Sequence, residues 1–224
     1  MHGFEDPAAV ARYRDSTLAK VPGLAALHRM SAVLLAEAVP ADGQVLVLGA
    51  GGGLELEAFA SARPGWRLTG VDPSVPMLQL AARTMGALAP RARLVEGTID
   101  DAPTGPFDGA TCLLTLHFLT IEQRLHTLRA LWRRLRPGAP LVVAHHSFDP
   151  RDPDAMRWLR RSAAFASPSG RPGSDSEASI AAMRERLPAI APDEDVRLLA
   201  AAGFERVELF YAGFTFRGWV ALRP

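Results

Sequence analysis

The sequence predicts an α/β protein, with a Rossmann-like, doubly wound sheet of about seven strands that ends in an antiparallel hairpin. Three observations support this fold class. Short, β-branched apolar runs alternate with longer amphipathic stretches from residue 44 to residue 148, as in a parallel sheet covered by helices on both faces. A glycine-rich turn follows the first of these runs. Two strand-like runs near the C-terminus are joined by a link too short to hold a helix.

The apolar runs and the patterns between them set the expected order of elements. Strands are expected at Gln44–Leu48, Trp66–Asp72, Ala92–Glu96, Phe107–Leu114 and Ala139–Ser147. Helices are expected at Leu54–Ala62, Val75–Leu88 and Ile121–Leu135, the last of them stopped by an Arg-Pro-Gly turn. The hairpin is expected from Glu205–Tyr211 and Phe214–Leu222, linked at Ala212 and Gly213 or their neighbours.

With 224 residues the chain is long enough for one α/β core, so we expect a single domain over residues 1–224. Residues 1–40 are expected to form a helical cap, with helices at Pro7–Lys20 and Gly23–Val39. Residues 44–148 form the expected cofactor-binding core, residues 150–200 a helical or lid region, and residues 204–222 the terminal hairpin. The run Ser167–Ser176 is rich in Ser, Gly and Pro, which predicts a mobile loop.

The charge and composition of the chain limit the kinds of binding partner that we expect. Lys and Arg total 25 against 24 Asp and Glu, and this net charge of +1 gives no electrostatic argument for a membrane or nucleic-acid partner, although a local basic patch is compatible with a balanced total. No apolar run approaches the roughly 18 residues of a membrane helix, and the first residues lack a signal pattern. We therefore expect a cytoplasmic protein with a small-molecule substrate, and the sequence leaves a homodimer open. The single cysteine, Cys112, excludes an intrachain disulfide and is expected in a strand core.

The turn after the first strand carries the main functional signal. The segment VLVLGAGGGLELEAF places Gly49, Ala50, Gly51 and Gly53 between a strand and a helix, where the backbone passes close to a ligand and presents free amides. A dinucleotide turn needs G-x-G-x-x-G, and its sixth position here is Leu54, whereas G-x-G-x-G is the spacing used for S-adenosyl-L-methionine (SAM). The spacing predicts SAM as cofactor and S-adenosylhomocysteine as product. A purely structural tight turn is the alternative.

Further cofactor contacts are expected at the ends of the next two strands. Asp72 lies about twenty residues after the glycines, with Pro73 beside it, where a carboxylate can accept both ribose hydroxyls; the alternative is an N-cap for the next helix. Met77 is expected either against the adenine or in the ordinary core. After the third strand, Thr98, Ile99 and Asp100 are the candidates for the adenine edge.

Three histidines near the ends of the fourth and fifth strands are the candidate bases. In such sheets the acceptor lies beyond the carboxyl ends of these strands, which here supply His117, His145 and His146. Each is also compatible with a hydrogen-bonded structural histidine. Neighbours on a strand point to opposite faces, so His145 and His146 are not expected to chelate one metal, and we expect no metal site.

Several stretches together resemble a known family, the class I SAM-dependent methyltransferases, and more closely the carboxy-SAM synthases that serve tRNA wobble-uridine modification. They are VPG at Val21–Gly23, the glycine turn, VDPSVPML, VEGTIDD, LLTLHFL, LRPGAPLVV, the SFD at Ser147–Asp149, and AAGFERVELFYAGFTFRGWVAL. The resemblance implies cofactor contacts at Gly49, Gly51 and Gly53, at Asp72 with Pro73, and at Thr98 with Ile99.

The chain departs from that family at two kinds of position. At the position of Val47 the family usually has an acidic residue, and that acid binds the methionine amino group of the cofactor indirectly. Glu55 is a candidate substitute for it. The arginine that holds the extra carboxylate in carboxy-SAM synthases has no clear counterpart, with Arg171, Arg184 and Arg186 available as alternatives.

Three functions follow as hypotheses. The first is a methyltransferase that acts on a small-molecule acceptor by in-line methyl transfer. The second, implied by the resemblance, is carboxy-SAM synthesis from SAM and prephenate. The third is a noncatalytic SAM-binding protein. A NAD-dependent dehydrogenase is disfavoured by Leu54 and by the terminal hairpin.

Overall fold

The structure, a computed structural model, describes residues 10–167, 170, 177, 180, 181, 183 and 187–224. Its helices are α1 (Tyr13–Lys20), α2 (Leu24–Ala36), α3 (Leu54–Ala62), α4 (Val75–Met85), α5 (Ile121–Arg134), α6 (Ala155–Ala166) and α7 (Pro192–Ala201). Its strands are β1 (Gln44–Leu48), β2 (Arg67–Asp72), β3 (Ala92–Glu96), β4 (Gly109–Leu113), β5 (Pro140–His146), β6 (Glu205–Gly213) and β7 (Phe216–Leu222). Short 3₁₀ helices at Gly86–Arg91 and Leu116–Phe118 join these elements.

The sheet has the predicted topology. Its seven strands lie in the order β3-β2-β1-β4-β5-β7-β6, with β1 to β5 parallel and β7 antiparallel to both β5 and β6. The order reverses at β1, where β2 and β4 lie on opposite sides, so the carboxyl ends of β1, β2 and β4 border a crevice. The fold class is confirmed, and β1 and β3 have the predicted bounds.

Two details of the predicted elements are corrected. The hairpin turns at Phe214 and Thr215, next to the expected Ala212 and Gly213, and its second strand begins at Phe216 rather than at Phe214, because β6 continues through Gly213, which pairs with Phe216. The helix expected to reach Leu88 ends at Met85, where Gly86 has a positive φ of 51°, and a 3₁₀ segment follows.

Two apolar layers cover the sheet, and alternate residues of β1 divide between them. Val45 and Val47 pack with α2 and α3, whereas Leu46 and Leu48 pack in the layer that contains α5 and α7. Cys112 on β4 is fully buried in this second layer, as predicted for a strand core.

The N-terminal helices lie against the hairpin and cover the carboxyl ends of the strands. The Tyr211 hydroxyl donates a 2.8 Å hydrogen bond to the Pro22 carbonyl, in the link between α1 and α2. None of the described helices is by itself long and apolar enough to cross a membrane; only α1 and α2, bent by 83° at their link, pass that test of length and composition as a pair. The predicted loop at residues 167–176 lies largely outside the described residues.

Candidate functional site

A cavity of about 520 Å³ opens at the carboxyl ends of the central strands. Nine of the ten predicted cofactor residues line it: Gly49, Ala50, Gly51, Asp72, Pro73, Met77, Thr98, Ile99 and Asp100. The tenth, Gly53, is the last residue of the turn and packs against Ala81 instead. The volume of the cavity is in the range of small-ligand sites in proteins, roughly 300–1,000 Å³. The structure therefore brings the predicted cofactor residues together in one place.

The turn after β1 needs glycine for reasons of space as well as conformation. Gly49 has φ = +78°, and a Cβ there would lie 1.9 Å from Thr115 Oγ1 in the loop after β4. Gly53 has φ = +82°, and a Cβ there would lie 2.6 Å from the Cα of Ala81 on α4. The glycines thus allow the turn to pack tightly against two neighbouring segments and to leave the cavity open beside Gly51.

The expectation that the turn presents free amides is wrong for four of its residues. The amides of Gly49 and Ala50 donate to the Val71 carbonyl at 2.8 and 3.0 Å, and the Gly53 amide donates to the Ala50 carbonyl at 3.0 Å. The Gly51 amide donates to Asp72 Oδ2 at 2.9 Å. The turn folds back over the end of β2. It therefore lets a ligand come close to the backbone, but these four amides already have partners within the protein.

Asp72 is half-buried at the end of β2 and is held by two backbone donors. Its Oδ2 accepts from Gly51 and its Oδ1 accepts from the Ser74 amide at 3.0 Å. Burial raises its pKa, and the two hydrogen bonds partly offset that rise. The alternative N-cap role belongs instead to Ser74, whose hydroxyl accepts from Met77 N. Each carboxylate oxygen keeps a second lone pair, so Asp72 retains the capacity to accept ribose hydroxyls.

The loop after β3 forms the opposite wall. Thr98 donates through its amide to Asp101 Oδ2 at 2.8 Å, which fixes the loop, while the Ile99 side chain is buried beneath it. Asp100 pairs with His126 of α5 at 2.8 Å on the exposed rim. This wall has one apolar surface and polar groups at its edge, which suits a heteroaromatic ring such as adenine.

The three histidines predicted as bases do not line the cavity, and the structure corrects their placement. His145 is 1% exposed, packs beside Trp219, and has its Nε2 3.0 Å from Asp195 Oδ1. His146 stacks on Phe216, and its Nδ1 lies 2.8 Å from Thr215 Oγ1. Neither ring lines the cavity, because Trp219 and Asp195 cover His145, and the hairpin residues Phe216 and Thr215 contact His146.

His117 is also buried in the protein interior. Its Nδ1 accepts a 3.3 Å hydrogen bond from the His146 amide, and burial lowers its pKa well below the usual value. Burial likewise lowers the pKa of His146 to about 4. Both rings are therefore neutral groups of the packed core. In the described part of the chain, no three His, Cys, Asp or Glu side chains form a group able to hold a metal ion.

Two residues from the N-terminal helices line the cavity and were missed by the sequence reasoning. Tyr13 of α1 covers the turn, since a Cβ at Gly51 would lie 2.9 Å from its hydroxyl oxygen. His28 of α2 faces the same cavity, and burial lowers its pKa to about 4. Neither lies near a motif, and only the packing of the helices over the sheet brings them to the site.

Glu55, noted from the sequence as a candidate substitute for the acid missing at Val47, also lines the cavity. It is buried in the first turn of α3. The other acids that line the cavity are Asp72, Asp100 and Glu122, and among the residues that the structure describes no Lys or Arg lines it. The charged groups of the cavity wall are therefore predominantly acidic.

Comparison with known proteins agrees with this geometry. Residues 45–138 match a family model described as a methyltransferase domain. Among solved structures with a similar fold are human N-acetylserotonin methyltransferase in complex with SAM (TM-score 0.63, 15% identity, 98% of this chain and 57% of that chain) and the SAM-dependent methyltransferase SibL (TM-score 0.63, 20% identity, 99% and 72%). This chain thus spans little more than half the length of the human enzyme.

This chain carries a methyltransferase domain over residues 45–138, its fold is that of the class I SAM-dependent methyltransferases, and SAM is its cofactor. Within that class it is similar to the carboxy-S-adenosyl-L-methionine synthase of Chromohalobacter salexigens, at 27% identity over 222 residues, which cover 97% of this chain and 82% of that protein.

Proposed function

We propose that this protein transfers the methyl group of SAM to a small acceptor that carries no net negative charge. The observation that supports this proposal is that the residues of the cofactor cradle and a set of acidic and apolar side chains line one and the same cavity. SAM, when bound, supplies an electrophilic methyl group on a sulfonium. Catalysis then needs alignment of the acceptor with that methyl and exclusion of water.

The walls of the compartment favour a small acceptor. Leu24 and His28 of α2, with Tyr13 of α1, cover it from the N-terminal side, and Leu113, Leu114 and Phe118 border it at the end of β4. A cavity roofed by helices admits a compact molecule more readily than a segment of folded nucleic acid. The Asp72 carboxylate repels an anionic acceptor from the same space.

His28 is our candidate for the base in this reaction. Burial lowers its pKa to about 4, so the imidazole is neutral near pH 7 and one ring nitrogen is unprotonated, but as a base it is weaker than an ordinary histidine. A base is needed only for an acceptor that loses a proton on methylation, such as a hydroxyl. A neutral amine acceptor would be served by alignment alone.

Carboxy-SAM synthesis is the second candidate, and similarity over almost the whole chain favours it. Prephenate, the second substrate implied by the family resemblance, carries two carboxylates and therefore needs cationic partners. Arg171, Arg184 and Arg186, the candidates from the sequence, lie outside the described residues. The described cavity wall by itself favours the first candidate.

Mass spectrometry of the nucleoside products separates these functions. We would incubate the protein with SAM alone, with SAM and prephenate, and with SAM and pools of neutral or cationic small acceptors. S-adenosylhomocysteine together with a methylated acceptor supports the first proposal. Carboxy-SAM formed only with prephenate replaces it with the second, and SAM bound but unchanged in every mixture indicates a noncatalytic protein.

A further inference from the structure

A second cavity lies at the opposite end of the sheet from the cofactor site. It is a groove of about 610 Å³ that is bordered by the first residues of β1, β2 and β3, with Gln44 as its β1 residue. Leu48, at the other end of the same strand, lines the cofactor cavity. Four residues along a strand span about 13 Å, so the groove and the cofactor cavity are separate sites that share the same strands.

The groove is lined by four arginines that come from different segments of the chain. They are Arg67 at the start of β2, Arg91 before β3, Arg93 on β3 and Arg136 after α5. Among the residues that the structure describes, no Asp or Glu lines the groove. Because the whole chain has a net charge of only +1, this is a local concentration of positive charge on a nearly neutral protein.

The register of the sheet places Arg67 and Arg93 close together. Arg93 pairs with Thr69, which is two residues after Arg67 on β2. Alternate residues of a strand share a face, so all three side chains lie on the side of the sheet where Val71 packs in the core. The spacings between strands and between residues separate the Cα atoms of the two arginines by about 8 Å. Two long side chains at this separation are able to contact the same ligand.

Arg67 and Arg93 are both exposed. Within the described part of the chain, neither guanidinium group has an ion-pair or hydrogen-bond partner. Exposed arginines elsewhere, such as Arg157 and Arg197, pair with an acid on or next to their own helix. Like charges at close range repel each other, and an anion bound between them removes this cost.

The other two arginines have fixed positions in the wall of the groove. Arg91 donates to the carbonyls of Arg63 and Trp66 at 2.8 and 2.9 Å, which holds its guanidinium in place without neutralising its charge. Arg136 pairs with the buried Asp108 at 2.7 Å, and half of its side chain stays exposed. In the described structure, therefore, an acid compensates only one of the four positive charges.

We propose that this groove binds a small ligand that carries a di- or triphosphate group. The planar guanidinium fork matches the oxygens of a phosphate, and Arg67 and Arg93 supply two such forks. The hydroxyls of Thr69 and Thr104, which also line the groove, are suitable neutral donors.

The size of the groove favours a small ligand over a nucleic acid. Its volume is in the range of small-ligand sites, roughly 300–1,000 Å³. Even a single nucleic-acid-binding module buries about 600–1,000 Å² of protein surface, and its basic groups follow the backbone of the nucleic acid. Here the arginines converge on one groove instead.

Calorimetry with inorganic tripolyphosphate tests the proposal on the full chain. We expect Arg67→Gln and Arg93→Gln each to weaken its binding by about ten- to a hundredfold, as for loss of a charged hydrogen bond. Arg129→Gln is the matched control, because it removes an exposed arginine of α5 that lines neither cavity. Its effect should stay within about twofold, since salt screens distant surface charges.

S-adenosylhomocysteine provides the test of folding and of separate sites. Its affinity should stay within about twofold in all three variants, and with tripolyphosphate present, because its cavity lies at the other end of the strands. Competition between the two ligands would contradict a separate anion site. The experiment involves no methyl transfer, so its result does not depend on whether the proposed function is correct.

A comparison of anions tests the class of ligand. Orthophosphate should bind at least about tenfold more weakly than tripolyphosphate, because a single phosphate group is too small to engage both arginine forks fully. No binding of tripolyphosphate to the wild type, or an equal loss in Arg129→Gln, overturns the proposal. A single-stranded oligonucleotide that binds more tightly than tripolyphosphate, and is lost in the same two variants, replaces the small ligand with a nucleic acid.

Discussion

The Asp72 carboxylate accepts a hydrogen bond from the Gly51 amide at 2.9 Å and so connects the end of β2 to the turn after β1. A second bond from the Ser74 amide fixes its other oxygen. The residue expected to hold the ribose therefore also holds the cradle in shape. Ligand binding and local structure depend on the same side chain at this point.

Asp72→Asn tests that double role. The amide replaces an acceptor oxygen with a donor that faces a backbone N–H, and it removes the charge available to the ribose hydroxyls. We expect affinities for S-adenosylhomocysteine and 5′-methylthioadenosine to fall together, by about tenfold or more, as for loss of a charge-assisted hydrogen bond. Asp42→Asn, at an exposed position outside the cavity, is the control. A loss confined to S-adenosylhomocysteine would place Asp72 at the amino-acid end instead.

Substitution of Gly53 should destabilise the protein through a steric contact. Its Cβ would lie 2.6 Å from Ala81 Cα, at φ = +82°, whereas Gly138 has φ = +80° with no atom within 4 Å. Gly138→Ala thus measures the conformational cost alone, about 1–2 kcal/mol. We expect Gly53→Ala to lose about 1–3 kcal/mol more in the free energy of unfolding, measured in urea. Equal losses would show that the helix packing relaxes without cost.

The buried pair of Arg124 and Asp195 joins α5 to α7. Arg124 is fully buried, its guanidinium lies 2.9 Å from Asp195, and His145 approaches the same carboxylate oxygen. Asp195→Ala leaves the guanidinium without its counter-ion, which should cost about 3–5 kcal/mol in unfolding free energy. Asp193→Ala removes an exposed acid from the same helix and should have little effect. Similar losses in both would contradict the importance of burial.

The pH dependence of stability follows from the raised pKa of Glu55. Because its pKa is about 8 in the folded protein and 4.5 in a model compound, the folded state binds more protons between these values. The contribution of this group is full below about pH 4.5 and is lost as pH rises to about 8. Glu55→Gln should therefore raise the melting temperature relative to wild type at pH 8, with the difference shrinking toward pH 5. A difference that is constant with pH would show that Glu55 is already ionised in the free protein.

His28→Gln tests the proposed base once a hydroxyl acceptor is identified. The change should lower kcat by about 10²- to 10⁴-fold, while affinity for 5′-methylthioadenosine stays within about twofold. His126→Gln is the control, because His126 also lines the cavity but is exposed and paired with Asp100. Unchanged kcat in His28→Gln would mean that alignment alone is sufficient.

The sequence predicted the cofactor side of the site better than the acceptor side. Gly49 to Gly53 and Asp72 follow strands directly, so chain connectivity places them at the crevice. His145 and His146 also lie at a strand end, but the local pattern does not show that the antiparallel β7 and the helix α7 cover them. His28 and Tyr13 reach the cavity only because α1 and α2 pack over the sheet.

The sequence by itself determined the α/β class, the order of the elements and the cofactor turn. The spacing of apolar residues, the spacing of the glycines and the ends of the strands are all local properties of the chain. Tertiary structure alone decided which titratable groups face the ligand. It buried His117 and His145 in the core, packed His146 against the hairpin, and brought His28 and the buried carboxyl of Glu55 to the cavity. The physical reason is that burial and charge depend on neighbours from distant segments, whose approach is set by packing of helices on the sheet.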